Sequence, residues 1–192
     1  MDLGLSKNRI HPITKQTQKK IMVVYVLSLK AELENVASLQ LLPTQLCLSV
    51  RNPVDASDVR ERIVVDTSAV HEAADDHAKH KKHHPKHEYP EAPCHFALKW
   101  DRADTTRATL RVVPHPHEGV ATELTTSGVF VPLLALECDG MEPYDFHPLG
   151  DEIAVTNTSG QEFRPDLSSK NWKEFELSAG TTAVSNLQVQ FS

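Results

Sequence analysis

An all-β fold, with antiparallel strands in two packed sheets, is the architecture this chain predicts. Three features carry that expectation. Short runs of alternating apolar and polar residues recur along the sequence. No segment has a long, strong helical period. Turn residues punctuate the runs, with 12 prolines and seven glycines scattered through the chain. At 192 residues and 40% hydrophobic composition, the chain can bury a core and fits one domain.

Residues 1–18 are polar and aperiodic, which predicts a disordered arm ahead of a single β domain over 19–192. The apolar run from Ile21 to Leu29 follows Lys19 and Lys20, as the core of a targeting segment would, but at nine residues it is about half a bilayer span. Its continuation sets Leu27, Leu29, Ala31 and Leu33 against Ser28, Lys30, Glu32 and Glu34, which reads as a half-buried strand. Leu46, Leu48 and Val50 alternate with Cys47, Ser49 and Arg51 until Asn52-Pro53 turns the chain, and a shorter run spans Arg62 to Asp66. From Ala97 the pattern resumes. Ala108, Leu110 and Val112 lie opposite Arg107, Thr109 and Arg111 until Pro114-His115-Pro116 stops the strand, since proline cannot donate within a ladder. Further strands are expected from Val129 to Cys138 and from Ala183 to Phe191. Between Lys170 and Leu177, Trp172 and Phe175 are spaced i,i+3, which fits one or two helical turns or a loop pinned by two aromatics.

The run from Leu29 to Val36 matches that from Leu134 to Met141 in its order of apolar, acidic and turn-forming positions. Each is a strand entering a tight turn, with Asn35 or Gly140 available for positive φ. Two related halves or chance similarity between two strands would both produce this echo.

Residues 67–95 are different material, holding seven of the 11 histidines, four lysines and few apolar residues. A solvated, disordered His-rich insert follows. His77, His80, His83, His84 and His87 are the candidate ligands for zinc or copper, at the weak affinity expected when ligands must be ordered on binding.

The formal charge of −6 does not favour a nucleic-acid backbone, and no segment is a membrane span, so neither is an expected partner. Cys47, Cys94 and Cys138 are odd in number and far apart, which suits a reducing, cytoplasmic compartment. Catalytic patterns are sparse. Cys94 and His95 are adjacent and point to opposite faces of a strand, and Cys47 and Cys138 read as buried strand residues. Asp145 and His147 are alternate neighbours without an evident Ser, Thr or Cys to complete a nucleophilic set. In the stretch from Cys138 to Phe146, Glu142 and Asp145 are expected to accept backbone N–H bonds while Phe146 covers the core.

LSLKAELENVASL (27–39), ALECDGMEPYDFHP (135–148), Asn171-Trp172 and the closing AVSNLQVQF together resemble the eukaryotic family of CXXC motif containing zinc-binding proteins, over most of the chain from Lys20 to Phe191. The resemblance implies one structural zinc held by two CxxC pairs, a geometry suited to tetrahedral thiolate ligation. In this sequence the first pair falls on Asn52 and Asp55, after Leu48-Ser49-Val50-Arg51, and the second on Trp100 and Ala103, after Phe96-Ala97-Leu98-Lys99. All four thiols are absent. The resemblance therefore implies a degenerate zinc site with no cofactor, in which the Trp100 indole fills volume instead of ligating. The expected role is non-enzymatic, through contact with an unknown protein partner or as a structural element, and metal binding by the histidine-rich insert is the alternative.

Overall fold

The structure is a computed structural model that describes residues 22–42, 44–71, 93–104, 107–177 and 180–192. All regular structure among them is strand. The chain runs β1 (Val23–Glu34), β2 (Val36–Leu41), β3 (Gln45–Arg51), β4 (Val59–Asp66), β5 (Phe96–Leu98) and β6 (Ala108–Val112). It continues as β7 (Val131–Asp139), β8 (Glu142–Phe146), β9 (Ile153–Asn157), β10 (Glu162–Phe163), β11 (Trp172–Glu176) and β12 (Gly180–Phe191). The antiparallel all-β class is as the sequence predicts. Hydrogen bonding divides the strands among three sheets, a six-stranded one ordered β11-β12-β1-β7-β6-β5 and two three-stranded ones, β10-β9-β2 and β4-β3-β8.

The long strands β1 and β7 form the antiparallel centre of the large sheet, in a register that sets Leu27 opposite Leu134 and Tyr25 opposite Leu136. Each then leaves the sheet at a residue with positive φ. Asn35 (φ 53°) turns β1 into β2, and Gly140 (φ 65°) turns β7 into β8. A Cβ at Gly140 would also stand 3.4 Å from that of Ala108. These are the two turns that the Leu29–Val36 and Leu134–Met141 echo aligns. The relation extends through the whole topology, because adding six to each strand number maps the central β1·β7 pairing onto itself and every other pairing onto a second one. β1·β12 becomes β7·β6, β2·β9 becomes β8·β3, and the edges β4 and β5 answer to β10 and β11.

The central strands of the small sheets, β3 and β9, are buried on both faces over most of their length, so they lack the alternation of half-buried strands. One apolar core joins the three sheets. It includes Leu27 and Leu29 of β1, Leu39 of β2, Leu48 of β3, Leu136 of β7, Phe146 of β8, Val155 of β9 and Leu187 of β12. Each such side chain contributes about 1.5–3 kcal/mol on burial.

Residues 172–176 differ from expectation, since they form the edge strand β11 and not a helical turn or loop. Strand alternation sends the two aromatics to opposite faces. Trp172 packs against Phe163 at 5.2 Å between ring centroids, and Phe175 is 63% exposed. The expected arm and the histidine-rich run at 72–92 lie outside the described residues. The ends of that insert are joined, as His71 and Cys94 exchange backbone hydrogen bonds of 2.7 and 3.2 Å.

Candidate functional site

The hairpin between β3 and β4 carries Asn52 and Asp55, and the connection after β5 carries Trp100 and Ala103. Short polar side chains shape both turns by satisfying nearby backbone donors. Val54 N–H donates to Asn52 Oδ1 at 3.0 Å, and Asp55 Oδ1 accepts the Ser57 N–H at 3.0 Å and its hydroxyl at 2.7 Å. The Ser57 hydroxyl, followed by its N–H, holds the Asp55 carboxyl below the usual carboxylate range. In the second turn Asp101 N–H donates to Asp104 Oδ2 at 2.8 Å and Ala103 N–H to Asp101 Oδ1 at 2.9 Å.

Arg60 of β4 brings the two turns together. Its guanidinium donates to Asp58 Oδ1 at 2.6 Å and to the Trp100 carbonyl at 3.0 Å, and lies 5.2 Å from the centroid of the indole. The Trp100 Nε1–H donates to Gly140 O at 2.7 Å. A single half-exposed arginine thus ties the first turn to the second, and the indole ties the second to the β7–β8 corner.

Zinc does not fit the four positions. Tetrahedral zinc takes Cys, His or carboxylate donors, whereas Trp100 and Ala103 offer none and the Oδ1 atoms of Asn52 and Asp55 already accept hydrogen bonds within their own turn. No group of three or more His, Cys, Asp or Glu side chains among the described residues is placed to hold a metal ion. His77, His80, His83, His84 and His87 lie outside the described residues.

The remaining chemistry-bearing residues serve as ties. Cys47, Cys94 and Cys138 are buried and form no disulfide among the described residues. Burial, then the charge of Glu137, pushes the Cys138 thiol up to about 12, and burial raises that of Cys47, so neither is an activated thiolate. His95 Nδ1 accepts the Val112 N–H at 2.9 Å, which anchors the end of the insert to β6.

A serine does reach His147, contrary to expectation. Ser49 Oγ lies 2.8 Å from Nε2, placed there by β3·β8 pairing, a long-range register that spacing within the sequence does not reveal. Asp145 approaches the same nitrogen at 3.7 Å, so it does not orient the ring from the other side as a relay requires. Ser49 is 2% exposed and its oxygen also accepts the Arg62 N–H at 3.3 Å, leaving a polar strap between strands. Asp145 accepts its expected backbone bond, from Phe146 N–H at 2.9 Å. Glu142 instead pairs with the Arg51 guanidinium, whose hydrogen bond lowers the acid's pKa.

Together these features define an all-β protein with two halves of like topology and a pair of hairpin turns tied to each other through Arg60. The family model for eukaryotic CXXC motif containing zinc binding proteins matches residues 26–192. The chain belongs to that family. A hypothetical protein from Plasmodium falciparum superposes with a TM-score of 0.70 at 20% identity, covering 88% of this chain and 99% of the other. The crystal structure of C1orf123 gives a TM-score of 0.68 at 16% identity with the same coverage. At such identities the likeness is one of fold. Comparison with curated protein sequences gives no match.

Proposed function

We propose that this chain is a non-catalytic, cytosolic β protein that works through protein contacts, and that side chains hold its knuckle turns together in place of the zinc for which its family is named. The Arg60 bridge carries this reading, because it joins the two turns at the degenerate positions Asn52, Asp55, Trp100 and Ala103. Buried thiols and a serine sealed within a sheet support the non-catalytic part. Three cysteines held as buried thiols, not as disulfides, support a reducing compartment. Support for protein contacts comes from Phe175 on an edge strand and Leu177 just beyond it, 63% and 98% exposed. The net charge of −6 makes nucleic acid and anionic membrane poor partners.

Thermal unfolding of the wild-type and Trp100→Ala chains, each with and without a chelator such as 1,10-phenanthroline, tests the reading. Chelation should leave the midpoint in place. The half-buried indole should cost about 1–3 kcal/mol on truncation, less than the roughly 3–5 kcal/mol of a fully enclosed tryptophan. A midpoint that falls by several degrees with chelator, while Trp100→Ala keeps its stability, would mean that a metal holds the fold.

A further inference from the structure

The connection from β6 to β7, residues 113–130, stands outside the six-strand correspondence because it joins the two halves. Connections longer than about 12–15 residues without regular structure are uncommon in compact domains and mostly serve function. Backbone bonds hold this one in place. Val113 N–H donates to Ala135 O at 2.9 Å, Ala121 N–H to Pro132 O at 2.8 Å, and Leu124 and Leu39 exchange bonds of 2.8 and 2.9 Å. Between the connection and the sheets lies a cavity of about 390 Å3. That is near the small end of ligand sites, roughly 300–1,000 Å3.

We propose that this cavity binds a small, uncharged, largely apolar molecule bearing one hydroxyl group, with His115 as the hydrogen-bond acceptor. The floor is aliphatic, formed by Leu41 of β2, Val112 of β6, and Leu133 and Leu134 of β7. No Asp, Glu, Lys or Arg is among the lining residues, so an ionised ligand would lose water without gaining a counter-charge. The polar lining residues are His115, His117 and Thr122 of the connection and Gln40 of β2. His115 Nε2 lies 3.3 Å from the Val120 carbonyl oxygen. A carbonyl oxygen only accepts, so Nε2 is the donor in this contact, and in that tautomer the lone pair lies on Nδ1. That lone pair calls for a donor, which a hydroxyl supplies while the rest of the molecule displaces water from the floor.

Titration of the 15N-labelled full chain with p-cresol, toluene and benzoate at pH 7.5 tests the site. The p-cresol and toluene shifts should saturate and stay within the lining, including the amides of Val113, Ala121 and Ala135. p-Cresol should bind about 2- to 10-fold more tightly than toluene, the net effect of one hydrogen bond. Benzoate should give no saturable shift. His115→Ala should erase the advantage of p-cresol while toluene still binds, and Thr122→Trp, at an exposed lining position, should block both. Shifts that scatter or fail to saturate, an undiminished p-cresol preference in His115→Ala, or tighter binding by benzoate would overturn the proposal.

Discussion

His95 shows how one side chain couples the fold to pH. Burial, followed by the positive field of Arg111 and then His71, lowers its pKa below the ordinary imidazole value, with only Asp66 opposing. The sign follows from proton counts. Below about pH 6.5 the unfolded chain takes up a proton at this position that the folded chain resists, so stability falls as pH drops toward the folded pKa. Protonation at Nδ1 would also displace the Val112 N–H. The thermal midpoint of the wild-type chain should therefore decline from pH 7 to pH 5.5, with a smaller decline in His95→Gln; equal slopes would remove His95 as the cause. The thiols give a second residue-scale expectation. With all three cysteines buried and Cys138 raised to about 12, a disulfide reagent at pH 8 should leave the native protein largely unmodified and label three thiols after denaturation. Burial of Cys47 and Cys138 was legible from the usual place of cysteine in strands, whereas alternation set Cys47 beside Ser49 and Arg51 and missed that β3 is buried on both faces. The role of His95 was not legible, because the donor it accepts belongs to β6, reached only through folding.

Among the elements, turns and half-buried strands were the easiest to read. Asn52-Pro53 ends β3 where the alternation stops, and β1 shows one buried face over Leu27, Leu29 and Ala31. β9 was hidden because IAVTN is short and buried on both sides, leaving no period to detect. Trp172 and Phe175 misled because i,i+3 spacing is also compatible with opposite faces of a strand. That turns follow β3 and β5 was legible, but the connection between them was not. Arg60 sits in an ordinary charged run, Arg60-Glu61-Arg62, and its partner Trp100 is 40 residues away. A double-mutant cycle with Arg60→Ala and Trp100→Ala measures that connection. The coupling should be about 0.5–1 kcal/mol, the range for a cation–π pair that water still reaches. Arg60→Lys should recover only part of it, since an ammonium lacks the planar fork that reaches Asp58 and the Trp100 carbonyl together. Zero coupling would reduce the bridge to a surface contact.

At the scale of the molecule, the two halves are topologically alike yet neither is a domain. β1 lies between β12 and β7, both from the other half, while β2 pairs with β9 and β3 with β8. Residues 22–112 retain only the β3·β4 and β5·β6 pairings when considered alone, and residues 131–192 retain only β9·β10 and β11·β12. The core is shared in the same way, with Leu27 and Leu29 enclosed together with Leu136 and Leu187. An isolated two-stranded ribbon is marginally stable at best in water. Each half is thus left with ribbons and an exposed apolar face, far short of the burial that offsets chain entropy. Cutting the chain in the turn at Glu118, within the connection between halves, should yield fragments 1–118 and 119–192 that lack dispersed amide spectra when separate. Mixed after co-denaturation, they should recover the strand spectrum and a single cooperative unfolding transition. A fragment that folds by itself, or a mixture that unfolds in two separate steps, would show that one half stands as an independent unit despite the crossing of its strands.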